Sequence, residues 1–555
     1  MKNTFDLLGF NDFQKKDLEK LQGLGLNSKD RLYKDCRSRV NYHLPILSKI
    51  LNDEFSTSFS NKFWRICFGH WISSAFQLII FRFNIFLKLK GEPNIQTIFL
   101  EDFKEVIENI SLDSTGDFPY LVFNEEWNVS LTSYMQKIMF SSDTKIRKIY
   151  EKEIFHNHSH EITKKDIIKI RNFGKSFFYK KRFVIYKSYL NKKINFLLQM
   201  SLGLIPKSSS FPKAISKNCV DLEIRQRIIE KWLQKSRDDL DKIIIIMCVS
   251  LFPKVFLEYF TENLHHLNGT ELGNNDVLFS SNGFDQDDLF VLFTALSSEN
   301  GAKIFVGQHG NNWTSSRHYL HQDEIQETAD LFISWGSEGL NSKSKEAFIF
   351  KSPKKIIKPK NDGPIMVILH RPPSPFYLWD RQHEFIEYDN NIDLILNYIS
   401  NQLKRDVILR CHVNHEKFGG KTKEYYKKKY PRIEIDDGKY PINKIKKRCS
   451  LIIETYHTTG MLENFSQDFP VITFWSCGWE LNDRAEAIYE HIRKAGLLHN
   501  NIEKFFNEIK VAVNNTEKWW STDNKIKAKE IFVSHYAKLE RFPLFRLRKI
   551  LTNLI

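Results

Sequence analysis

From Asp276 onward the chain repeats one pattern, a short apolar run, a turn, a longer amphipathic stretch and another apolar run. DVLFSSN, KIFVGQHG and ADLFISWG read as strands, with DDLFVLFTALSSENG as a helix closed by glycine. Apolar strands alternating with helices predict a parallel sheet covered on both faces. The pattern stops in NSKSKEAFIFKSPKKIIKPKNDGP and resumes with IMVILH, a helix near 382–403, DVILRCHV, SLIIETYHTTGMLENF and PVITFW. Two successive α/β domains facing a cleft follow. The first spans 1–340, with its α/β part from about 270; a linker covers 341–363, the second domain 364–530, and a basic helix 531–555.

The first 90 residues read as helical, a large elaboration ahead of the first α/β part. IQTIFLE (95–101) and YLVFN (120–124) are strand candidates, and a stretch rich in lysine and phenylalanine, about 160–265, reads as helix. ICFGHWISSAFQLIIF, between Arg65 and Arg82, has 16 residues. That is short of the roughly 20 that cross a bilayer, so it is expected as a buried helix. Trp64, Trp71 and Trp127 are expected to be packing aromatics.

Lysine and arginine outnumber acids by 82 to 67, a formal charge of +15. The excess favours partners that carry phosphate or an anionic membrane surface. The basic residues lie scattered, in KKRF, KIKKR and YKKKY, without a zinc-finger or RNA-recognition signature, so no nucleic-acid partner is expected. Seven cysteines without a CxxC pair indicate neither a disulfide framework nor a zinc site. With no export signal in MKNTFDLLGFNDFQKKDLEK, a cytoplasmic location is expected.

Ligands of open parallel sheets bind beyond the carboxyl ends of the strands. There, LIIE delivers Thr458 and Thr459 directly before GMLENF. Two hydroxyls and the free amides of a helix amino end make an anion site, and Glu463, a turn further on, is placed to accept from ribose hydroxyls. A threonine N-cap with an incidental glutamate is the alternative reading. DVILRCHVNH ends a preceding strand with Arg410 and His412, a guanidinium suited to phosphate beside an imidazole. In the first domain GQHG brings Gln308 and His309 to a cleft, with Asn282 at the end of the neighbouring strand. Glu324, Glu327 and Asp330 in HQDEIQETAD are candidate carboxylate partners for His309, as base or nucleophile.

GxxxxGK[ST], GxGxxG after a strand, HExxH and GxSxG are all missing. DQDD at 285–288 reads as an acid-rich helix start, not a metal-nucleotide site. No metal or other cofactor is expected.

Several blocks together resemble the leptospiral-type transferase family associated with bacterial surface-polysaccharide loci, itself similar to GT-B glycosyltransferases. FWRICFGHWISSAFQLIIFRF is similar to the family's tryptophan-arginine helix, although Phe81-Arg82 stands where the family has an aspartate-arginine pair. FNEEWNVSLTSY resembles its Trp-Asn motif at Trp127-Asn128, GQHGNNW and EIQETADLFISWG its QHG block, and TTGMLENFSQDFPVITFW its hydroxyl-rich turn, LE helix and proline-containing strand. Trp519-Trp520 matches a late WW; HVNHEKFGG lacks the aspartate and tryptophan usual after the arginine.

The resemblance implies a GT-B-like fold of two Rossmann-like domains. It places a nucleotide-sugar donor on the second domain, with Arg410, Thr458 and Thr459 at the phosphate and Glu463 at the ribose, and a glycan or glycolipid acceptor facing the first. A more distant likeness to ulosonic-acid transferases implies a CMP-sugar. The expected function is glycosyl transfer in lipopolysaccharide or capsule synthesis, with His309 and Glu327 or Asp330 handling the proton or forming a covalent adduct. Alternatives are a polyol-phosphate transferase, or a non-catalytic scaffold at the inner-membrane face using HYAKLERFPLFRLRKILTNLI as an interfacial helix.

Overall fold

The computed structural model describes residues 26–89, 103–140, 164–206, 211–216, 219–285, 287–337, 342–351, 356–370, 381–416, 420–475 and 479–553. The strand candidate 95–101 lies outside them.

Helices α1 (Leu26–Phe55) and α2 (Asn61–Leu89) open the fold. α2 is long and apolar enough to cross a membrane by length and composition, yet 94% of its most apolar window is buried inside the protein. A helix apolar on all sides belongs in a core, and Trp64 and Trp71 lie within it. Arg82, also buried on α2, donates to Asn128 and, at 3.3 Å, to the Thr132 hydroxyl. The missing acid beside Arg82 is thus replaced by a side-chain amide from the Trp-Asn motif.

YLVFN is not a strand. Ser114 and Asp117 form a reciprocal cap, and Phe118–Leu121 continues as a short helix with Pro119 near its start. Conversely, the basic stretch expected to be helical contains strand β1 (Phe183–Tyr186) before helix α3 (Lys192–Ser201).

Strands β2 (Val277–Ser280), β3 (Lys303–Gly307), β4 (Leu331–Ser334) and β5 (Ser344–Glu346) complete a five-stranded parallel sheet in the order β1-β2-β3-β4-β5. Helices α4 (Asp288–Glu299) and α5 (Leu320–Thr328) follow β2 and β3. Side chains alternate across the sheet. Phe183, Val277, Phe279, Phe305 and Ile333 enter the core shared with the second domain, while Val184, Leu278, Ile304 and Phe332 enter the core built with the amino-terminal helices. β5 falls inside the segment expected as linker.

The second sheet is parallel and six-stranded. Its strands are β6 (Ile365–Ile368), β7 (Val407–Arg410), β8 (Glu434–Asp436), β9 (Leu451–Glu454), β10 (Val471–Phe474) and β11 (Leu498–His499), in the order β11-β10-β9-β6-β7-β8. The main helices are α6 (Arg381–Asn397), α7 (Thr459–Ser466) and α8 (Asp483–Lys494). This is the doubly wound Rossmann order, with a switch point between β6 and β9.

Helices α9 (Asp523–Tyr536) and α10 (Pro543–Asn553) return to the first domain. Lys538 N–H donates to Trp335 O, and Ile349 N–H to Lys538 O, each at 2.9 Å. A side chain at Gly336 would place its Cβ 2.1 Å from His535 O, so only glycine admits α9 this closely. α10 buries Leu547, Ile550 and Leu551 against α3 and its surroundings. The C-terminal stretch is therefore two helices with a packed apolar face, not a single helix free to lie on a membrane.

Candidate active site

In a doubly wound sheet the loops after the two strands flanking the switch point diverge and leave a crevice. Here those strands are β6 and β9. One chain of hydrogen bonds ties their ends: His370 N–H donates to Tyr388 Oη (2.7 Å), Tyr388 meets the Thr455 hydroxyl (2.8 Å), and Thr455 donates to Ile368 O (2.6 Å). Over this crevice the half-buried rings of His370, Tyr456 and Trp479 form a shelf of mutually inclined rings, with centroids 4.5 Å apart and planes at 67° for His370–Tyr456, and 5.2 Å and 79° for His370–Trp479. Such a cluster can offer one ring face at a time to an aromatic base.

Beside the shelf stands the amino end of α7. Thr458 caps it, accepting from Met461 N–H at 2.7 Å and donating to Glu454 Oε2 at 3.1 Å. Its hydroxyl is thereby used within the protein, as in the N-cap reading. The first amides of α7, at Thr459 and Gly460, have no partner in their own helix, and the half-buried Thr459 hydroxyl stands beside them. Glu454, fully buried, also accepts from Asn464 Nδ2 (2.9 Å). Burial pushes its carboxyl up to about 8, against the opposing effects of Thr458 and Lys446. A Cβ at Gly460 would lie 2.8 Å from Glu454 Oε1, so a glycine is needed where helix and carboxyl meet.

Across the cleft the GQHG loop comes down onto this helix. A Cβ at Gly310 would stand 3.7 Å from the Thr459 hydroxyl. Asn311 donates to Thr458 O (3.1 Å) and accepts from Tyr489 Oη (3.0 Å), while His457 Nε2 lies 2.8 Å from Tyr489 Oη and 3.1 Å from Ser315 Oγ. Burial holds His457 neutral, down at about 3. On the same rim Arg317 N–H donates to Glu480 O (3.0 Å) and Lys29 reaches the Glu480 carboxylate at 2.5 Å. The two domains meet here in a sealed, polar latch.

His309 sits at the mouth of this junction. Its Nδ1 lies 2.9 Å from Ser281 O, which makes Nδ1 the donor and leaves Nε2 with its lone pair. Asp285 Oδ2 lies 3.6 Å from Nε2, and Asp285 Oδ1 lies 3.3 Å from His321 Nε2. Burial lowers the His309 pKa, with Asp285 opposing the shift. Burial alone would raise Asp285, but its hydrogen bond from His321 and the nearby imidazoles hold it below the ordinary value. A neutral imidazole with one nitrogen fixed by a carbonyl and a carboxylate beside the other can take a proton and have the resulting charge stabilised. Tyr189 and Trp313 flank the ring at centroid distances of 5.6 and 4.7 Å.

The other expected site residues are placed differently. Asp330 precedes β4 and lies at the amino ends of the strands, where it accepts from Ile304 N–H and pairs with Lys62 (2.8 Å). Glu327, on α5, pairs with Arg37 and with Arg65 (2.9 Å), and Glu324 with Arg65 at 2.7 Å. His309 follows β3 at the opposite end of the sheet, so these acids anchor the amino-terminal helices; the carboxylate beside His309 is Asp285. Gln308 is consumed in bracing its loop, donating to Gly310 O (2.9 Å) and accepting from Trp335 N–H (2.8 Å). Asn282 follows β2 on the same rim as His309, its N–H bonded to Lys187 O at 3.3 Å.

Arg410 is the main correction. β6 separates β7 from β9, so Arg410 and the α7 end are two strand spacings apart, about 10 Å. Its guanidinium pairs with the buried Asp436 of β8 and donates to Tyr440 O (3.1 Å), away from the switch point. His412 is exposed, with Nδ1 accepting from Asn414 N–H at 3.2 Å. Arg410→Ala is expected to destabilise the protein by about 3 kcal/mol, because it strands a buried carboxylate. Thermal unfolding with nucleotide titration checks this, the expected result being a lower Tm with nucleotide affinity within about threefold of wild type.

A cation beside His309 is Lys351, which follows β5 in the segment read as linker. Its Nζ stands 4.0 Å over the Tyr189 ring, and it acts electrostatically on both His309 and Glu463. Glu463 is half-buried on α7; burial raises its carboxyl, against the pull of Lys351 and Lys446. Lys351, Asp285, Glu454 and the His370 shelf escaped the sequence reading. HRPP directly after β6 and the acids of DQDD were their only local signals. Among the described residues no group of three histidines, cysteines or acids is placed to hold a metal ion.

Two Rossmann-like domains, a switch-point crevice in the second and a histidine-bearing loop of the first closing over it define a GT-B-like fold. The chain matches the LIC12162 family of transferases over residues 11–551 and belongs to that family. No curated protein matches it significantly. Similar solved structures include the S. aureus MnaA–UDP co-structure (14% identity over 56% of this chain and 87% of that one, TM-score 0.36). The spinosyn rhamnosyltransferase SpnG with thymidine diphosphate shows 10% identity over 53% and 77%, TM-score 0.33. The Methanocaldococcus jannaschii UDP-GlcNAc 2-epimerase with UDP-GlcNAc and UDP shows 13% over 66% and 95%, TM-score 0.33. These are distant likenesses.

Proposed function

We propose that this transferase is a glycosyltransferase that moves a sugar from a nucleotide donor to an acceptor hydroxyl. The apposition of Gly310 and Thr459 carries the reading. It sets a neutral imidazole on one domain opposite the amino end of α7 on the other, where the Thr459 and Gly460 amides have no partner in their own helix. The nucleobase lies against His370, Tyr456 and Trp479, the phosphate on the Thr459 and Gly460 amides with Lys351 beside it, and Glu463 accepts from the ribose. His309 Nε2 takes the proton of the acceptor hydroxyl as its oxygen bonds the anomeric carbon. The bond from that carbon to the donor phosphate breaks, and the nucleotide leaves with the electron pair. Asp285 stabilises the imidazolium, while the helix amides and Lys351 meet the charge on the leaving phosphate, which needs no metal. A cytoplasmic role in surface-polysaccharide synthesis, with a CMP-activated ulosonic acid as one candidate donor, is the biological form of this proposal.

The test is incubation with CMP-, UDP- and CDP-linked donors and mass analysis of the released nucleotide, with and without a chelator. Sugar transfer with release of one nucleotide supports the reading, whereas release of a nucleotide with a polyol phosphate on the acceptor sinks it. Thr459→Val and Lys351→Ala are each expected to weaken nucleotide binding about tenfold by calorimetry. Unchanged affinity in both moves the phosphate elsewhere.

A further inference from the structure

Between Phe173 and Val220 the chain carries ten lysines and arginines and no acid, and from Arg541 to its end four more and again no acid. The parts of these two segments around α3 and α10 are far apart in sequence but adjacent in space. α10 packs on α3, Arg548 Nη2 donates to Tyr179 Oη at 3.2 Å, and the turn carrying Phe177 is pinned by its N–H to Gly203 O at 2.8 Å. Lys181 covers the Tyr179 ring at 5.7 Å. On this ground stand large apolar side chains turned outward: Phe177 (75% exposed), Phe178 (68%), Phe196, Met200, Ile205 (59%) and Phe545 (69%). Exposed lysines and arginines, among them Lys180, Lys192, Lys193 and Arg548, surround them.

A protein that leaves so many large apolar groups in water next to one another has a use for them. We propose that this face of the first domain docks on an anionic lipid surface. The phenylalanines and Met200 enter the boundary between headgroups and acyl chains, and the cations sit at the level of lipid phosphates. Aliphatic Met200 and Ile205 among the rings favour hydrocarbon over stacked bases. A second copy of the same face would oppose cation to cation, which disfavours a dimer here. Phe177, Phe178, Met200 and Ile205 gather towards the amino end of β1, whereas Tyr189, at the other end of α3, packs against His309.

Full-length protein is sedimented with vesicles of phosphatidylcholine alone, or of phosphatidylcholine with about a third phosphatidylglycerol, without nucleotide or acceptor, so that the result is independent of the glycosyltransferase reading. Binding to the anionic vesicles is expected, with loss at about 1 M salt. The triple variant Phe177→Ser, Phe196→Ser, Phe545→Ser is expected to bind at least about tenfold more weakly at unchanged Tm. Equal sedimentation with neutral and anionic vesicles, or full binding by the triple variant, overturns the proposal. So does phenylalanine-dependent binding of a single-stranded oligonucleotide in place of vesicles, or phenylalanine-dependent elution as a dimer.

Discussion

Replacing His309 with asparagine is expected to lower kcat by about two to three orders of magnitude, with nucleotide affinity and Tm near those of wild type. The ring is partly exposed at the cleft mouth and bonds only a backbone carbonyl through Nδ1, so its removal opens no core cavity. The pH profile carries the more specific signature. Burial lowers the His309 pKa and Asp285 raises it, so activity should rise with pH through a limb below the ordinary histidine value. In Asp285→Asn the imidazolium loses its carboxylate; that limb moves to lower pH and the plateau falls about tenfold. A limb that stays in place in Asp285→Asn would show that another group is the base.

The second large effect concerns stability. Burial raises the Glu454 carboxyl from 4.5 to about 8. The folded protein therefore binds a proton there that the unfolded chain has released between those values. Its stabilising contribution is complete below about pH 4.5 and is lost as pH rises to about 8. Wild type should lose a few kcal/mol across that window. Lys446, held down at about 8 by burial, contributes a slope of the opposite sign only above about pH 8, up to its ordinary value of 10.5, and so leaves this window unchanged. Glu454→Gln keeps the shape and the acceptor for Asn464 or Thr458 without titrating. Denaturant unfolding at pH 5, 6.5 and 8 should give a flatter profile for Glu454→Gln and a crossover in its favour at the alkaline end. Parallel profiles would place the proton elsewhere.

Much of this arrangement was legible in the sequence. The strands ending at Glu454 and Gly307 announced themselves as short apolar runs before glycine or hydroxyl turns, so the positions of the α7 amino end and of His309 just beyond strand ends could be read from the sequence. Local pattern says nothing about strand order, however. β6 comes between β7 and β9 although it precedes both in the chain, which separates Arg410 from Thr459; the short strand β8 then supplies Asp436 to neutralise it. Asp330 was misplaced for a related reason, because a residue just before a strand and one just after its neighbour lie at opposite ends of a parallel sheet. In DQDD the acid-rich helix start was read correctly, since Asp287 caps α4. Yet Asp285, two residues earlier, turns towards His309 and His321, a contact set by tertiary packing alone. Lys351 was hidden because a lysine-rich, proline-broken stretch reads as solvent-exposed connection until the sheets are assembled.

The chain passes between its halves twice, at Ile349 and at Lys538, and the two passages are bonded to each other and to Trp335. Side-by-side crossings behave like the knuckle of a door. They permit rotation about one line and resist sliding or twist. The Asn311–Tyr489–His457 contacts cross between the halves close to that knuckle, since Tyr489 packs on Tyr536 with ring centroids 5.3 Å apart. Opening and closing of the cleft then reduce to a single swing.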